Sequence, residues 1–352
     1  MFCHLIIIQP LGFLYGSAGP FLSPDNLVGR SGNSFPPSAA TVSGLYAAKY
    51  SQPGTNERGE TTQRLDLPDL ILAGPFWAYT KIPQNFYVPT PFNYLAEMNP
   101  PQDEEKIRQG KIIEELTWNS KTQQWQPFKV GKFDTETWLP INEWGKAETV
   151  SKEPWQYLPH LHPRLETEQR RVDTSLERGS LFLENSVQMH PDTCLVYLTN
   201  TSIDDGWYRF GGEGHLVEVQ CQPITNETLL ELLNKPVGDN FALIAPAVWG
   251  SNRLSYRFPT LGQEEDEKTA PEWEKARIFT ERPIPFRYRL GGTGKTKRLA
   301  RGRYAVPPGT VYVLETGISQ PWFKWDESWF PCEGYSYKRW GCGLALPLNV
   351  RC

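Results

Sequence analysis

The stretch SFPPSAATVSGLYAA at residues 34–48 decides how the first part of this chain folds. Pro36-Pro37 forces an extended backbone and delivers Ser38 to the position of a helix N-cap. The small residues from Ala39 to Ala48 then continue at helical spacing. Near the other end, GYSYKRWGCGLAL at 334–346 alternates glycines within an aromatic, strand-like run beside Lys338 and Arg339. Glycines are used in this way where a backbone must approach something closely. Between these landmarks helical periodicity is sparse: 38–50, 226–234 with Thr225 as its cap, and a weaker pattern over 104–116. Strand-like runs are commoner, at 5–9, 70–79, 180–188, 194–199, 214–221, 241–249, 277–290 and 310–315. The chain therefore reads as α+β, with few helices and long connections.

At 352 residues the length suggests two domains, and the mean hydropathy of -0.50 describes a globular chain with a substantial core. Leu5-Ile6-Ile7-Ile8 is too short to span a membrane and lacks the basic flank and cleavage site of a signal peptide, so it reads as a first strand. Six scattered cysteines without a CxxC pair point to free thiols in the cytoplasm, where the sequons at Asn200 and Asn226 carry no meaning. Polar loops are expected at 51–64, 99–110 and 260–272, and a tryptophan-rich insertion of little periodicity at 117–155. The order strand–helix–strands can be read twice. This divides the chain into 1–222, carrying that insertion and a projecting hairpin near 165–200, and 223–352, carrying the late basic and glycine-rich segments.

The net charge of -4 hides an asymmetry. Between Arg277 and Arg303 lie nine basic residues and one acid, Glu281. Glu264-Glu265-Asp266-Glu267 stands just upstream. A basic stripe on an otherwise acidic protein points to a polyanion, against the alternative of a solvated face. GGTGKT at 291–296 is not a Walker A motif, because Arg289 occupies the first glycine position and no helical run follows. It reads either as a phosphate-facing nest beside Lys295, Lys297 and Arg298 or as a hairpin tip. His160 and His162 form an HxH pair without a third ligand in sight. Glu213 has no paired carboxylate. Most of the thirteen tryptophans are expected to pack loops onto the core, with aromatics near Arg or Lys free to stack bases.

Taken in order, FPPSAATVSGLYAA (35–48), LPHLHPRLETEQRRVDTSLERGSLFLENSVQM (158–189), YRFGGEGHLVEVQ (208–220), RGRYAVPPGTVYVLE (301–315) and GYSYKRWGCGLALPL (334–348) resemble the RAMP proteins of CRISPR effectors. Within them the likeness is to the Cas5-group family of third subunits of type III-B (Cmr) complexes. One departure is that the family's Arg-Asp-Gly-like element after the first strand is replaced here by FLYGSAGPF at 13–21. For that reason the Cas5-like subunit of type III-D systems stands as an alternative.

The resemblance implies two ferredoxin-like βαββαβ modules with long insertions. It also implies a non-catalytic subunit, without cofactor or metal, that binds the 5′ repeat-derived tag of the guide RNA (crRNA) in antiviral defence. Its expected neighbours are the large polymerase-like subunit and a backbone RAMP subunit, with no membrane involved. The residues expected to touch RNA are Ser38, Thr41, Arg170, Arg171, Arg178, Lys295, Lys297, Arg298, Arg301, Lys338, Arg339, Gly341 and Gly343. Two other readings are a metal-independent RNA endonuclease, with His162, Arg164, Arg170 and Arg171 as its candidate cluster, and a tryptophan-rich glycan-binding module.

Overall fold

The computed structural model describes residues 1–14, 35–55, 61–65, 67, 69–101, 106–127, 131–163, 166, 171–172, 181–211, 214–250, 254–261, 268–291 and 298–348. The first sheet grows from β1 (His4–Pro10), whose Leu5, Ile6, Ile7 and Ile8 are all buried. Four consecutive buried residues mean that both faces of the strand are covered, as in the centre of a layered fold. Helix α1 (Ala39–Tyr50) follows, burying Ala39, Val42, Leu45 and Tyr46 on one face. Next in chain order come β2 (Leu72–Tyr79), β3 (Tyr87–Pro89), β4 (Tyr94–Met98), β5 (Gln109–Glu115), β6 (Trp138–Pro140), β7 (Thr149–Ser151) and the paired ribbon β8 (Trp155–Pro163) and β9 (Leu181–Met189). β10 (Thr193–Thr199), β11 (Gly206–Phe210) and β12 (His215–Pro223) complete this part.

The ten-stranded sheet has the order β11-β12-β1-β10-β2-β3-β6-β7-β5-β4, every pair antiparallel. Its heart, β12-β1-β10-β2, runs fourth, first, third, second in chain order, with α1 crossing from first to second. That is the ferredoxin-like strand order. No helix joins β10 to β12; the β11 hairpin takes that place. The chain between β2 and β10 adds five strands to the outer side of β2.

After α2 (Glu227–Asn234) come β13 (Gly238–Leu243), β14 (Arg277–Phe279), β15 (Val311–Ile318) and β16 (Ala345–Pro347), in the sheet order β14-β15-β13-β16. Here too the order is second, third, first, fourth, all antiparallel. Both crossovers lack an α-helix among the described residues and carry 3-10 turns at Pro271–Trp273, Trp322–Lys324, Glu327–Trp329 and Tyr337–Trp340. Aromatic rings fill the missing helical layer: Trp273 meets Tyr312 edge-on at 4.7 Å, Phe241 at 5.2 Å and Trp325 at 5.7 Å. One continuous apolar core runs through both sheets. Seven of the thirteen tryptophans are buried in it (144, 249, 273, 322, 325, 329, 340), Trp77 is buried outside it, and Trp207 is the single exposed one, at 71%.

The α+β reading stands, but the order strand–helix–strands occurs only once among the described residues, because α2 precedes the second sheet and no α-helix follows β13. There are further local corrections. The expected helix over 104–116 is strand β5. Ile112 and Ile113 favour a pleated surface, and Gly110 passes so close to β4 that an added Cβ would lie 2.6 Å from Glu97 O. Asn226, not Thr225, caps α2, its Oδ1 accepting from Leu229 N–H at 3.1 Å. The run 277–290 breaks into Arg277–Phe279, Ile284–Phe286 and Arg289–Gly291, because Pro283 and Pro285 remove ladder donors. The strand expected over 241–249 stops at Leu243, shortly before Pro246. The 117–155 insertion contains the hairpin Thr117–Asn119/Gln124–Gln126 and contributes β6 and β7 to the large sheet.

Candidate nucleic-acid interface

Helix α1 begins where Pro36-Pro37 and Ser38 placed it. Thr41 N–H donates to Ser38 O at 2.8 Å, closing the first turn. Two tyrosines fix the helix on the sheet. Tyr197 OH donates to Pro37 O at 2.6 Å, and Tyr46 OH donates to Thr201 O at 2.5 Å beside Thr199 Oγ1. Burial pushes both phenols upward, so they remain neutral donors. The half-buried Ser38 and Thr41 side chains form no hydrogen bond among the described residues. A helix start whose Ala39 and Ala40 N–H groups meet no partner among the described residues, beside two uncommitted hydroxyls, has the makings of an anion site.

The late glycine-rich loop is a different matter. Gly341 and Gly343 both have left-handed backbone, at φ 68° and 67°. A Cβ on Gly341 would sit 2.4 Å from Ala73 Cβ on β2, and one on Gly343 would sit 2.6 Å from Trp249. The close approach expected from the sequence is real, but what approaches is the protein itself: the first sheet at Gly341 and Trp249 at Gly343. Lys338 and Arg339 follow suit, at 5% and 7% exposure. Lys338 Nζ donates to Trp325 O at 2.5 Å, pairs with Glu327 at 3.2 Å and lies over Phe330 and Trp322. Arg339 donates to Leu67 O at 2.7 Å and stacks on Tyr335 at 4.3 Å, with desolvation drawing its pKa downward. Gly341 and Arg339 thus join the late loop to the first part of the chain, while Lys338 and Gly343 pack within the second part. Both cations are buried against carbonyls and rings rather than exposed on the surface.

The basic stripe divides in the same manner. Arg277 lies over Trp118 at 5.7 Å and donates to Gln123 Oε1 at 3.1 Å, while Trp125 packs on Phe279 at 5.0 Å. It thus straps the 117–126 hairpin onto β14. Arg287 Nε donates to Ala300 O at 2.8 Å. Arg303 is buried, donating to Tyr337 OH at 3.2 Å with Glu333 at 3.7 Å. Arg282 and Arg301 remain exposed, the backbone of Arg301 being held by Glu333 Oε1 at 3.0 Å. Arg298 lies in a short strand paired with Arg289–Gly291. Lys295 and Lys297 lie outside the described residues, as do Arg164, Arg170 and Arg178. Arg171 is exposed and paired with Glu166 at 2.9 Å.

His162 faces Phe182 in the register of the β8–β9 ribbon, while His160 is exposed beside the ring of Phe13. Among the described residues no three His, Cys, Asp or Glu side chains come together as a metal site. The described cysteines 3, 194, 221, 332 and 342 are free thiols. No described helix is long and apolar enough to cross a membrane. Sequence reasoning missed the strap, whose partners Gln123 and Arg277 are 154 positions apart, and the cage around Lys338, which the 3-10 turns at Trp322–Lys324 and Glu327–Trp329 build without any periodic sequence signal.

Two antiparallel sheets of ferredoxin-like strand order, joined through a glycine-rich loop, define a double ferredoxin-like protein. More particularly, residues 6–350 match the model of the CRISPR-associated protein family Cas_Cmr3, and the chain belongs to that family. Among solved structures it is similar to a chain of the type III-B Cmr-beta complex bound to cognate target RNA and AMPPnP (10% identity, TM-score 0.45, covering 88% of this chain and 86% of that one). A chain of the same complex bound to cognate target RNA gives 11% identity, TM-score 0.43 and the same coverage. No curated protein matches.

Proposed function

We propose that this chain is a non-catalytic, cytoplasmic subunit of a type III-B CRISPR effector. It grips the 5′ repeat-derived tag of the guide RNA and scaffolds the large polymerase-like subunit and a backbone RAMP subunit. The observation that carries this reading is the family match across residues 6–350. The helix start at Ser38 supports a location for the contact. A guide phosphate sits against the first turn of α1, receiving bonds from backbone N–H groups and from Ser38 and Thr41. Exposed Arg282 and Arg301, with Lys295, Lys297 and Arg298, add salt-dependent affinity.

The test is Ser38→Asp. Aspartate caps a helix as well as serine but repels a phosphate. The variant is expected to unfold at the wild-type temperature and to bind tag RNA at least tenfold more weakly. Binding equal to wild type shows that this helix start is structural only.

A further inference from the structure

The two main sheets have four edges, and three are covered. At β4, Met98 N–H donates to the Asp134 carboxylate at 2.9 Å and Ala96 O accepts from Asp134 N–H at 3.0 Å. At β14, the 117–126 hairpin lies across Arg277 and Phe279. At β16, Pro347 O accepts from the Trp144 indole at 2.7 Å. The fourth edge is β11, with the sequence GWYRF.

The backbone direction along β11 follows from its neighbour. Leu11 N–H donates to Leu216 O and Ile224 N–H to Cys3 O, so even-numbered residues of β12 turn their backbone toward β1. Odd-numbered ones turn toward β11, as Cys221 N–H does in reaching Asp205 Oδ1 at 2.8 Å. With Gly206, Tyr208 and Phe210 opposite Val219, Val217 and His215, those three residues bond inward. The N–H and C=O groups of Trp207 and Arg209 therefore point away from the sheet, and they meet no partner among the described residues. On the same face as their side chains, Leu216 and Leu11 are exposed, at 48% and 47%. Arg209 is exposed and forms no ion pair among the described residues.

We infer that β11 is a docking edge for an extended segment of a neighbouring protein subunit, which adds to the ten-stranded sheet as an eleventh strand. The partner segment is apolar where it meets Trp207 and acidic where it meets Arg209. Two N–H donors and two C=O acceptors alternating along an edge are matched by another polypeptide strand and not by a sugar-phosphate chain. A five-residue strand buries far less than the roughly 1,200–2,000 Å² of a free-standing complex. The pairing therefore suits a subunit held by further contacts in an assembly rather than a second copy of this chain. The inference rests on the reading of this chain as an effector subunit.

The experiment compares the free protein with the complex reconstituted from the type III-B subunits and guide RNA. Hydrogen exchange at Trp207 and Arg209 is expected to be fast in the free protein and slowed at least tenfold in the complex. Arg209→Pro removes one outward N–H without touching the inward ladder. It is expected to lose subunit association at least tenfold while keeping the unfolding temperature and tag-RNA affinity of wild type. Arg209→Ala keeps the N–H and should lose less. Wild type that joins the complex with both amides still exchanging freely overturns this inference alone, and needs no variant to fold. Wild type that joins no complex overturns it together with the function it rests on. A concentration-dependent dimer abolished by Arg209→Pro would assign the edge to a second copy. Loss of RNA binding in Trp207→Ala with normal assembly would assign Trp207 to a base. Either result overturns the partner-strand assignment.

Discussion

Gly341 shows how one residue can join two sheets. Its left-handed backbone and its contact with Ala73 leave no room for even a methyl group. Gly341→Ala is expected to cost about 2–4 kcal/mol, combining backbone strain with overpacking, measurable by urea unfolding. A cost under half that would mean that β2 can retreat. Lys338 makes the complementary point about charge. Its ammonium is held by Trp325 O and Glu327 beneath two aromatic rings. Lys338→Met keeps the volume and removes the charge, so a folded variant should hold tag RNA as wild type does. A drop in affinity without loss of stability would return Lys338 to the RNA surface. The sequence signalled a close approach at these glycines and cations near an aromatic run. It carried no sign of the partner, since Arg339 bonds to Leu67 O across 272 positions.

The elements divide by how local their cause is. Helix α1 was legible because Pro36, Pro37, Ser38 and the small residues act within a few positions of one another. β1 and β10 were legible from their unbroken apolar runs. β5 was not, since a strand chosen by its neighbours β4 and β7 overrides a weak helical period. The 117–126 hairpin was illegible for the same reason, its order coming from Arg277 and Phe279 on another sheet. Removing Trp118 and Arg277 singly and together should reveal a coupling of about 0.5–1 kcal/mol, the scale of an exposed cation–π pair. Zero coupling in thermal or urea unfolding would show that the ring and the guanidinium merely lie near each other. Of the candidate site, Ser38 and Thr41 lie where the sequence put them. The stripe was only half legible, because composition counts charges and is blind to Arg303 being buried under Tyr337.

At the scale of the whole molecule, burial keeps several acids protonated. The Cys194 and Cys342 thiols and the Tyr337 phenol are each pushed up to about 12 by desolvation. A group whose pKa is higher folded than unfolded stabilises fully below its unfolded value. That contribution is lost as pH climbs toward the folded value. For the thiols the loss runs from about 9 to about 12, so the urea midpoint should fall steadily across that range. Cys194→Ala should make the fall shallower. A midpoint unchanged up to pH 11 would contradict the burial of these groups.

The loop that carries Gly341 has one more consequence, and it concerns the order of synthesis. A ribosome makes β1, α1 and β2 more than 250 residues before residues 337–344, which finish the surface of β2 around Leu72 and Ala73. The early sheet must wait, with part of its apolar face bare, until those residues have emerged. Nascent chains stalled before residue 337 should therefore be cut readily by protease within the first sheet, whereas released full-length chains should resist.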